Sequence, residues 1–431
     1  MKNKRPVSEF FLVAFGQASS VVLGVAFIRI LTEYLNPAEY GELSLILTLG
    51  VLACTIPSAY FLAGIERMYS MAVEKKEEYE YYAAIKKMAK SSGLLSLIIL
   101  SLIFVVLKVQ YPVYWEWREE ILLATLFTII SSYSTALTSI FNAARKRGLV
   151  ALYIFTDSIL KIVLVLMLVY FNVVNIYTVL LIYVILTVIT LIMRYRSFLK
   201  KISKSSLLSD VPSAPWKDKM YQYSKPFVYF QLFTWAHTSS DKWALEAFSS
   251  TENTGLLVVL MQVGYAPTVI VSGIIITYIT PILYDKLGDV TIEKNKLEAH
   301  NLSIKITSYI LFTTIIFTMI AYFFHEPIFN IMTNDKYHSI SYLMPWIVFS
   351  GGLFSAGQML ATKLSGELRV NELTKPKIIT ALIGIVFNVI GAYLFAVEGV
   401  VFALTVFSIF YFVWILHLSR YNKSSNSISS F

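Results

Sequence analysis

Charged residues and cysteine are both scarce in this 431-residue sequence. Asp, Glu, Lys and Arg make up 15% of it, whereas they make up about 25% of a typical soluble domain. Hydrophobic residues make up 57%, and this composition excludes an ordinary soluble protein. Cys54 is the single cysteine, so no disulfide forms within the chain and cysteine usage does not define the redox compartment.

The sequence also lacks the motifs of common enzymes and of nucleotide or metal binding. It contains no G-x-x-x-x-G-K-[ST] loop, no H-E-x-x-H motif and no cluster of cysteines. Its five His residues are scattered, and no recognisable motif combines a nucleophile with its base. We therefore expect no catalytic residues, no metal site, no cofactor and no enzymatic activity.

Long apolar runs are present instead. Runs of about 18 to 25 residues separate the charge clusters, and a helix of that length crosses the roughly 30 Å of hydrocarbon in a bilayer. They predict an all-α membrane protein with about twelve transmembrane helices. The predicted spans are 9–31, 42–65, 91–109, 120–142, 149–171, 176–193, 226–248, 255–283, 301–323, 340–362, 377–396 and 399–418.

The basic residues predict the orientation of these spans. With the N-terminus in the cytoplasm, most of the 36 Lys and Arg residues fall in inside segments, and the outside loops hold Lys108, Arg118 and Lys336. We expect a multi-pass protein of the cytoplasmic (inner) membrane with both termini cytoplasmic. The net charge of +9 is then a topology signal, and no nucleic-acid partner is expected.

The longest inside loop, 194–225, separates six predicted spans from six, and its Pro212 and Pro215 are typical of a linker. Both halves also carry one similar charge pattern around their first two spans, as expected of a duplicated transporter. That pattern is Arg29, Glu33, Glu39, Gly41 in the first half and Lys242, Glu246, Glu252, Gly255 in the second. We predict an N-terminal six-helix bundle (1–199), a cytoplasmic linker (200–225), a C-terminal six-helix bundle (226–420) and a disordered cytoplasmic tail (421–431).

Span 226–248 contains charges in an apolar setting, in the stretch SSDKWALEAF (239–248). A charged side chain at the bilayer centre costs about 2.5 to 3.5 kcal/mol on insertion scales. His237 lies one helical turn before Asp241, and a polar stripe runs along one face. A stripe of this kind favours a wet cavity, although Asp241 neutralising Lys242 is the alternative. The stripe comprises Gln231, Thr234, Thr238 and Asp241.

Two further spans carry ionisable residues. Tyr153, Asp157 and Lys161 recur every four residues on one helix face, so Asp157 and Lys161 either pair with each other or face a substrate. In the second reading Lys161 meets an anionic group, and Asp157 holds it or carries a proton or sodium ion. In span 9–31, Arg29 has an acid, Glu33, one turn later.

Four blocks of the sequence, spread over both halves, resemble the polysaccharide-biosynthesis flippases. These are the O-antigen (Wzx-type) translocases of the multidrug/oligosaccharidyl-lipid/polysaccharide exporter (MOP) superfamily. The family has Arg after the Asp of span seven, where this chain has Lys242, which keeps the charge but loses the bidentate fork for phosphate. The blocks are FIRILTEYLNPAEYGELSLI (27–46), SSDKWALEAFSSTENTGLLVVLMQVGYAP (239–267), NDKYHSISYLMPWIVFSGGLFSAGQ (334–358) and KPKIITALIGIVFNVIGAYLFAVEGVVFALTVF (375–407).

The resemblance implies two six-helix bundles around a central cavity that opens alternately to each side. It implies a flippase that moves undecaprenyl-diphosphate-linked oligosaccharide repeat units from the inner to the outer leaflet, for O-antigen (lipopolysaccharide) or another surface polysaccharide. The expected partners are this lipid-linked oligosaccharide, the lipid bilayer and other polysaccharide-assembly membrane proteins. Arg29 matches the Arg in the first span of the family.

Seven residues form the predicted site. A cation-coupled multidrug exporter of the same superfamily is the main alternative function. A membrane polysaccharide polymerase or ligase is disfavoured because no outside loop is long enough. The predicted substrate-binding residues are Arg29, Lys161, Lys242, Gln231 and His237, and the predicted ion-coupling or charge-partner residues are Asp157 and Asp241.

Overall fold

A computed structural model describes residues 5–200, 214–288, 292–367 and 369–420. Over these residues the chain is helical and contains no strand. Short 3-10 helices occupy Pro112–Trp117 and Asp335–Leu343, and a single π-helical turn occupies Met261–Tyr265. The helices are α1 (Arg5–Tyr34), α2 (Pro37–Lys75), α3 (Glu78–Gln110), α4 (Arg118–Ala143), α5 (Arg147–Tyr170), α6 (Ile176–Leu199), α7 (Ala214–Phe248), α8 (Thr251–Leu260), α9 (Ala266–Leu287), α10 (Glu293–Met332), α11 (Met344–Gly366) and α12 (Val370–Ser419).

All but one of the predicted spans lie within these helices to within one residue. The exception, 340–362, begins four residues before α11, in the 3-10 segment Asp335–Leu343. The predicted span 255–283 corresponds to α8, the π-helical turn and α9, and α12 contains the last two predicted spans. Nine segments of the described residues are long and apolar enough to cross a membrane, and one of them, of 48 residues, covers most of α12. These helices confirm the prediction of an all-α membrane protein. The helix is the expected structure there because it satisfies its own backbone hydrogen bonds in hydrocarbon.

The two spans within α12 are joined by a sharp bend at Phe395 and Ala396. Ala396 has φ 47° and ψ −126°, a backbone conformation that favours glycine and costs a residue with a Cβ about 1 to 3 kcal/mol. The halves of the helix approach most closely at two glycines, where a Cβ on Gly391 would lie 2.4 Å from the carbonyl oxygen of Gly399. Only glycine allows this approach, so Gly391 and Gly399 fix the hairpin.

Helices in the first part of the chain begin and end at recognisable caps. α2 starts with a capping box in which the Asn36 side chain accepts from the Glu39 amide and the Glu39 carboxylate accepts from the Asn36 amide. Pro37 occupies its first turn, where a missing N–H costs nothing. α2 ends at Lys76 in the left-handed conformation (φ 59°). These caps define the two-residue connections from α1 to α2 and from α2 to α3.

The described residues form two compact units. The first unit lies within Met1–Val258 and Met332–Lys336, and the second lies within Val259–Ile331 and Tyr337–Phe431. α7 packs against α2 and therefore falls in the first unit. The predicted bundles 1–199 and 226–420 and the tail 421–431 stay predictions; the tail and residues 201–213 of the predicted linker lie outside the described residues.

The end of the predicted linker is helical and packed in the first unit. Trp216 is 1% exposed, and its Nε1 donates to Glu77 at 3.0 Å. Its ring lies edge-on to that of Tyr81, whose hydroxyl donates to the carbonyl oxygen of Ile65 at 2.7 Å. Residues 214–220 thus anchor the start of α7 to α2 and α3 and position the residues that follow along α7.

α11 is the most buried helix of the second unit and packs against α12 and α9. Near its end, the Lys363 side chain is 1% exposed and lies 3.0 Å from Glu367. The Lys363 ammonium also donates to the carbonyl oxygen of Ser419 at 2.9 Å, at the last turn of α12. A cation is favourable at a helix C-terminus, so Lys363 ties the end of α12 to α11.

Candidate functional site in the first unit

Asp157 on α5 pairs with Arg194 on α6 rather than with Lys161. Arg194 Nη2 lies 2.5 Å from Asp157 Oδ2, and Arg194 Nη1 donates to Ser134 Oγ. The guanidinium group also lies 5.2 Å from the ring centre of Tyr153. The hypothesis of a pair within α5 between Asp157 and Lys161 is therefore wrong in this structure. Asp157 is instead paired with Arg194, which comes from the neighbouring helix α6.

Arg194 falls in the segment predicted as an inside loop (194–225) and is not among the predicted site residues. Its side chain is buried, with 8% of its surface exposed. A signal was available, because Thr187, Thr190 and Arg194 are spaced by three and four residues and all three are buried. A polar stripe of this kind on an apolar helix indicates contact with another helix rather than with lipid.

Three polar atoms of this cluster have no hydrogen-bond partner in the described part of the chain. They are Tyr153 Oη, Asp157 Oδ1 and Arg194 Nε, and all three are buried. A buried unsatisfied polar group costs about 1 to 3 kcal/mol. The second oxygen of Asp157 is consequently available to a proton, a cation or a water molecule.

Lys161 lies one turn further along α5, against aromatic rings. Its Nζ is 3.6 Å from the ring centre of Phe27 on α1 and 5.1 Å from that of Tyr183 on α6. Over the residues described, no carboxylate lies within 4.0 Å of this ammonium group. The aromatic faces stabilise the cation by roughly 0.5 to 2 kcal/mol but do not neutralise it.

Arg29 is held at the end of α1 by polar contacts. It lies 3.6 Å from Glu33, and its Nη1 donates to the carbonyl oxygen of Thr333. Asn334 donates to Glu33 at 2.9 Å and, through its backbone N–H, to Thr32 Oγ1 at 3.2 Å. The Arg29–Glu33 pair therefore binds the segment that follows α10, which the sequence analysis did not foresee.

Asp241 and Lys242, near the end of α7, are in contact with each other. Lys242 Nζ is 3.3 Å from Asp241 Oδ1 and donates to the carbonyl oxygen of Thr238 at 3.0 Å. Asp241 Oδ1 also accepts from the Lys242 backbone N–H at 2.8 Å. The neutralising contact between Asp241 and Lys242 is thus present. His237, one turn earlier on α7, is partly buried.

Gln231 lines an open cleft of about 400 Å³ between α2, α4 and α7. α2 contributes most of the lining, from Val51 to Ala63, and α4 contributes Thr128. Asp157, Lys161, Gln231 and Asp241 are all predicted site residues, but they do not share this cleft. Of these four described residues, Gln231 alone lines this cleft.

Two tryptophans fix α7 against α2 at the same residue. Trp235 Nε1 donates to the carbonyl oxygen of Thr48 at 3.0 Å, and Trp243 Nε1 donates to Thr48 Oγ1 at 2.8 Å. Thr48 is buried at 8% exposure. Because indole N–H groups require a partner when buried, these bonds set the rotation of α7 about its axis. The polar face of α7 that carries Gln231 is oriented by them.

The two matching glycines of the sequence repeat meet in the structure. A Cβ on Gly41 would lie 2.1 Å from the carbonyl oxygen of Thr251, and one on Gly255 would lie 1.8 Å from that of Pro37. The first turns of α2 and α8 therefore cross with their backbones in direct contact. No other residue type fits at this crossing without movement of the backbone.

No protein-family model and no curated protein matches the sequence. Solved structures of MOP transporters do match the fold. A MOP superfamily transporter from Pyrococcus furiosus is 15% identical with a TM-score of 0.62, over 96% of this chain and 95% of that one. The lipid II flippase MurJ in an inward closed conformation is 11% identical with a TM-score of 0.67, over 95% and 87%.

The MATE transporter VcmN of Vibrio cholerae is 11% identical with a TM-score of 0.64, over 96% of this chain and 95% of that one. The chain therefore has the fold of the MOP superfamily transporters, which is built from twelve helices in two lobes. These neighbours include both a lipid flippase and multidrug transporters. Fold alone does not determine which molecule is moved, so the substrate must be argued from side chains.

Proposed function

We propose that this chain is a flippase that moves undecaprenyl-diphosphate-linked oligosaccharides from the inner to the outer leaflet of the cytoplasmic membrane by alternating access. The MOP transporter fold supports a transport function over an enzymatic one. One observation favours this substrate class over others of the superfamily, namely the environment of Lys161.

Lys161 is a cation in a membrane-spanning helix whose described neighbours include no acid within 4.0 Å. Such a cation costs about 2.5 to 3.5 kcal/mol on insertion scales, and the aromatic contacts offset part of this. Two opposite unit charges 4 Å apart attract by roughly 4 kcal/mol at an effective dielectric of 20. An anionic headgroup gains that attraction at Lys161, whereas a cationic drug meets repulsion of similar size.

Asp157 has the properties of a coupling residue in this proposal. Its Oδ2 is bound by Arg194, while its buried Oδ1 has no hydrogen-bond partner in the described structure. A proton or sodium ion at Oδ1 would weaken the hold on Arg194 and so change the packing of α5 against α6. Binding of a coupling ion would thereby alter the relative stability of two conformations.

The second candidate is a cation-coupled multidrug exporter. The partly buried carboxylate of Asp157 also favours this function, and the solved neighbours include MATE transporters in complex with other molecules. In that case the substrate is cationic and Lys161 is incidental to its binding.

Transport by the purified full-length protein in liposomes separates the two. The first substrate is an undecaprenyl-diphosphate oligosaccharide with a fluorescent glycan, whose arrival in the far leaflet is measured by a membrane-impermeant quencher. The second is rhodamine 6G, whose uptake is followed by its fluorescence. We expect the glycolipid to be moved and Lys161→Ala to slow it at least about tenfold, the loss of roughly 1.4 kcal/mol of headgroup attraction.

Lys108→Ala is the matched control for Lys161→Ala. Lys108 also lies over an aromatic ring, that of Trp115 at 5.7 Å, but it is exposed at the end of α3. It should leave the flipping rate unchanged. Uptake of rhodamine 6G without movement of the glycolipid, or full activity of Lys161→Ala, would contradict the proposed function.

A further inference from the structure

The cleft between α2, α4 and α7 differs from the rest of the candidate site because none of its lining residues in the described part of the chain is charged. Its polar groups are the hydroxyls of Thr55, Ser58 and Thr128 and the side-chain amide of Gln231. Alanines and other small or apolar residues make up most of the remaining lining. The cleft volume of about 400 Å³ falls within the range of roughly 300 to 1,000 Å³ for small-molecule sites.

The three hydroxyls share one hydrogen-bonding state. Thr55 donates to Val51 at 2.8 Å, Ser58 to Thr55 at 3.4 Å and Thr128 to Ala124 at 2.8 Å, each to a carbonyl of its own helix. Their protons are thus engaged, while their oxygens keep lone pairs that can accept from a ligand. A ligand that complements them must carry hydrogen-bond donors.

Gln231 supplies the complementary chemistry. Its side chain is exposed to the cleft, and no hydrogen bond to it is formed by the described residues. A free amide offers two donors and one acceptor. Together with three acceptor hydroxyls it suits groups that donate and accept at once, such as sugar hydroxyls and N-acetyl groups.

We infer that this cleft is a subsite for neutral sugar residues of the transported glycan, such as hexoses or N-acetylhexosamines. Uronic acids and cationic amino sugars should bind less well there, because no counter-charge among the described lining residues compensates the partial loss of their hydration. The inference rests on the proposed flippase function and deepens it. The diphosphate and the glycan are then recognised at separate places. Lys161 attracts the diphosphate, and the uncharged cleft binds the glycan.

Three undecaprenyl-diphosphate lipids test the inference by native mass spectrometry of the solubilised full-length protein. The first carries no sugar, the second a neutral trisaccharide and the third a trisaccharide containing a uronic acid. We expect the neutral glycan to tighten binding about tenfold over the sugarless lipid, as two or three net hydrogen bonds would. The uronic acid should cancel most of that gain.

Gln231→Leu should remove about fivefold to tenfold of the gain from the neutral glycan and leave the sugarless lipid bound as before. Gln222→Leu is the matched control, because Gln222 is an exposed glutamine earlier on α7 and lies outside the cleft. Equal binding of the neutral and acidic glycolipids overturns the inference. So does a Gln231→Leu variant that keeps the full gain.

A failure of the flippase proposal gives a different result. If none of the lipids binds the wild-type protein, the same comparison is made with free maltotriose at millimolar concentration. Binding of maltotriose that is lost in Gln231→Leu retains a neutral-sugar site and discards the lipid-linked substrate. Absence of maltotriose binding then overturns the subsite as well.

Discussion

Replacing Arg194 by leucine tests whether its pair with Asp157 does more than join α5 to α6. The variant removes the bonds to Asp157 and Ser134 and leaves a carboxylate in a membrane-spanning helix. Removing one partner of a buried pair costs about 3 to 5 kcal/mol. Because the Asp157 side chain keeps 33% of its surface exposed, we expect the lower limit, about 3 kcal/mol, which is roughly a hundredfold in the folding equilibrium.

The double variant Asp157→Leu/Arg194→Leu separates structure from function. Replacing both partners by apolar residues of similar size is often neutral for stability, because no charge is left buried. We expect its melting temperature in detergent to return close to the wild-type value. If Asp157 carries the coupling ion, transport under an ion gradient should nevertheless stay below about a tenth of the wild-type rate, since no carboxylate remains to bind the ion.

Lys286→Leu provides the control for the stability measurement. Lys286 and Glu298 form a pair of similar chemistry at 3.3 Å, but their side chains are 42% and 47% exposed. An exposed pair contributes about 0 to 1 kcal/mol, so the melting temperature should barely change. The coupling role of Asp157 is refuted if the double variant recovers both its stability and wild-type transport. The pair is then a structural contact only.

Two further variants test packing in each unit by melting temperature. Gly255→Ala should strongly destabilise the protein, because the new Cβ would lie 1.8 Å from the carbonyl oxygen of Pro37. Gly273→Ala is the neutral control, because nothing lies within 4 Å of its new Cβ. Equal melting temperatures for the two variants would refute the crossing of α2 and α8. Lys363→Met should cost about 3 kcal/mol, since it leaves Glu367 buried beside α12 without its nearer partner, and an unchanged melting temperature would contradict this.

Hydropathy predicted the helices well because few backbone structures are stable in a membrane. Backbone groups in hydrocarbon must be satisfied within the helix, so each apolar run of sufficient length becomes one. The division of α12 into two spans was also predictable, and the structure adds the bend at Ala396 with Gly391 and Gly399 facing each other. The start of α7 at Ala214 was not predicted, because Pro212 and Pro215 indicated a linker. Pro215 is nevertheless compatible with a helix, since a Pro in the first turn is tolerated.

Pairing between helices was the part that sequence spacing did not reveal. Spacing within α5 left two readings open, a pair between Asp157 and Lys161 or two residues that face a substrate. In the structure Arg194 contacts Asp157 from α6, 37 positions further along the chain. The aromatic rings around Lys161 likewise come from two other helices, α1 and α6. Periodicity along one helix identifies a polar face but not the side chain that meets it.

Three cations that were predicted to bind the same anionic substrate have different neighbours in the structure. Arg29 has Glu33 at 3.6 Å, and Lys242 has Asp241 at 3.3 Å together with a backbone carbonyl of its own helix. A substrate anion must compete with these carboxylates, so the net attraction at either residue is small. Lys161 has aromatic faces and, in the described part of the chain, no carboxylate within 4.0 Å. Aromatic rings stabilise a cation without cancelling its charge, so of these three cations Lys161 is the one that attracts an anionic group most in the proposed function.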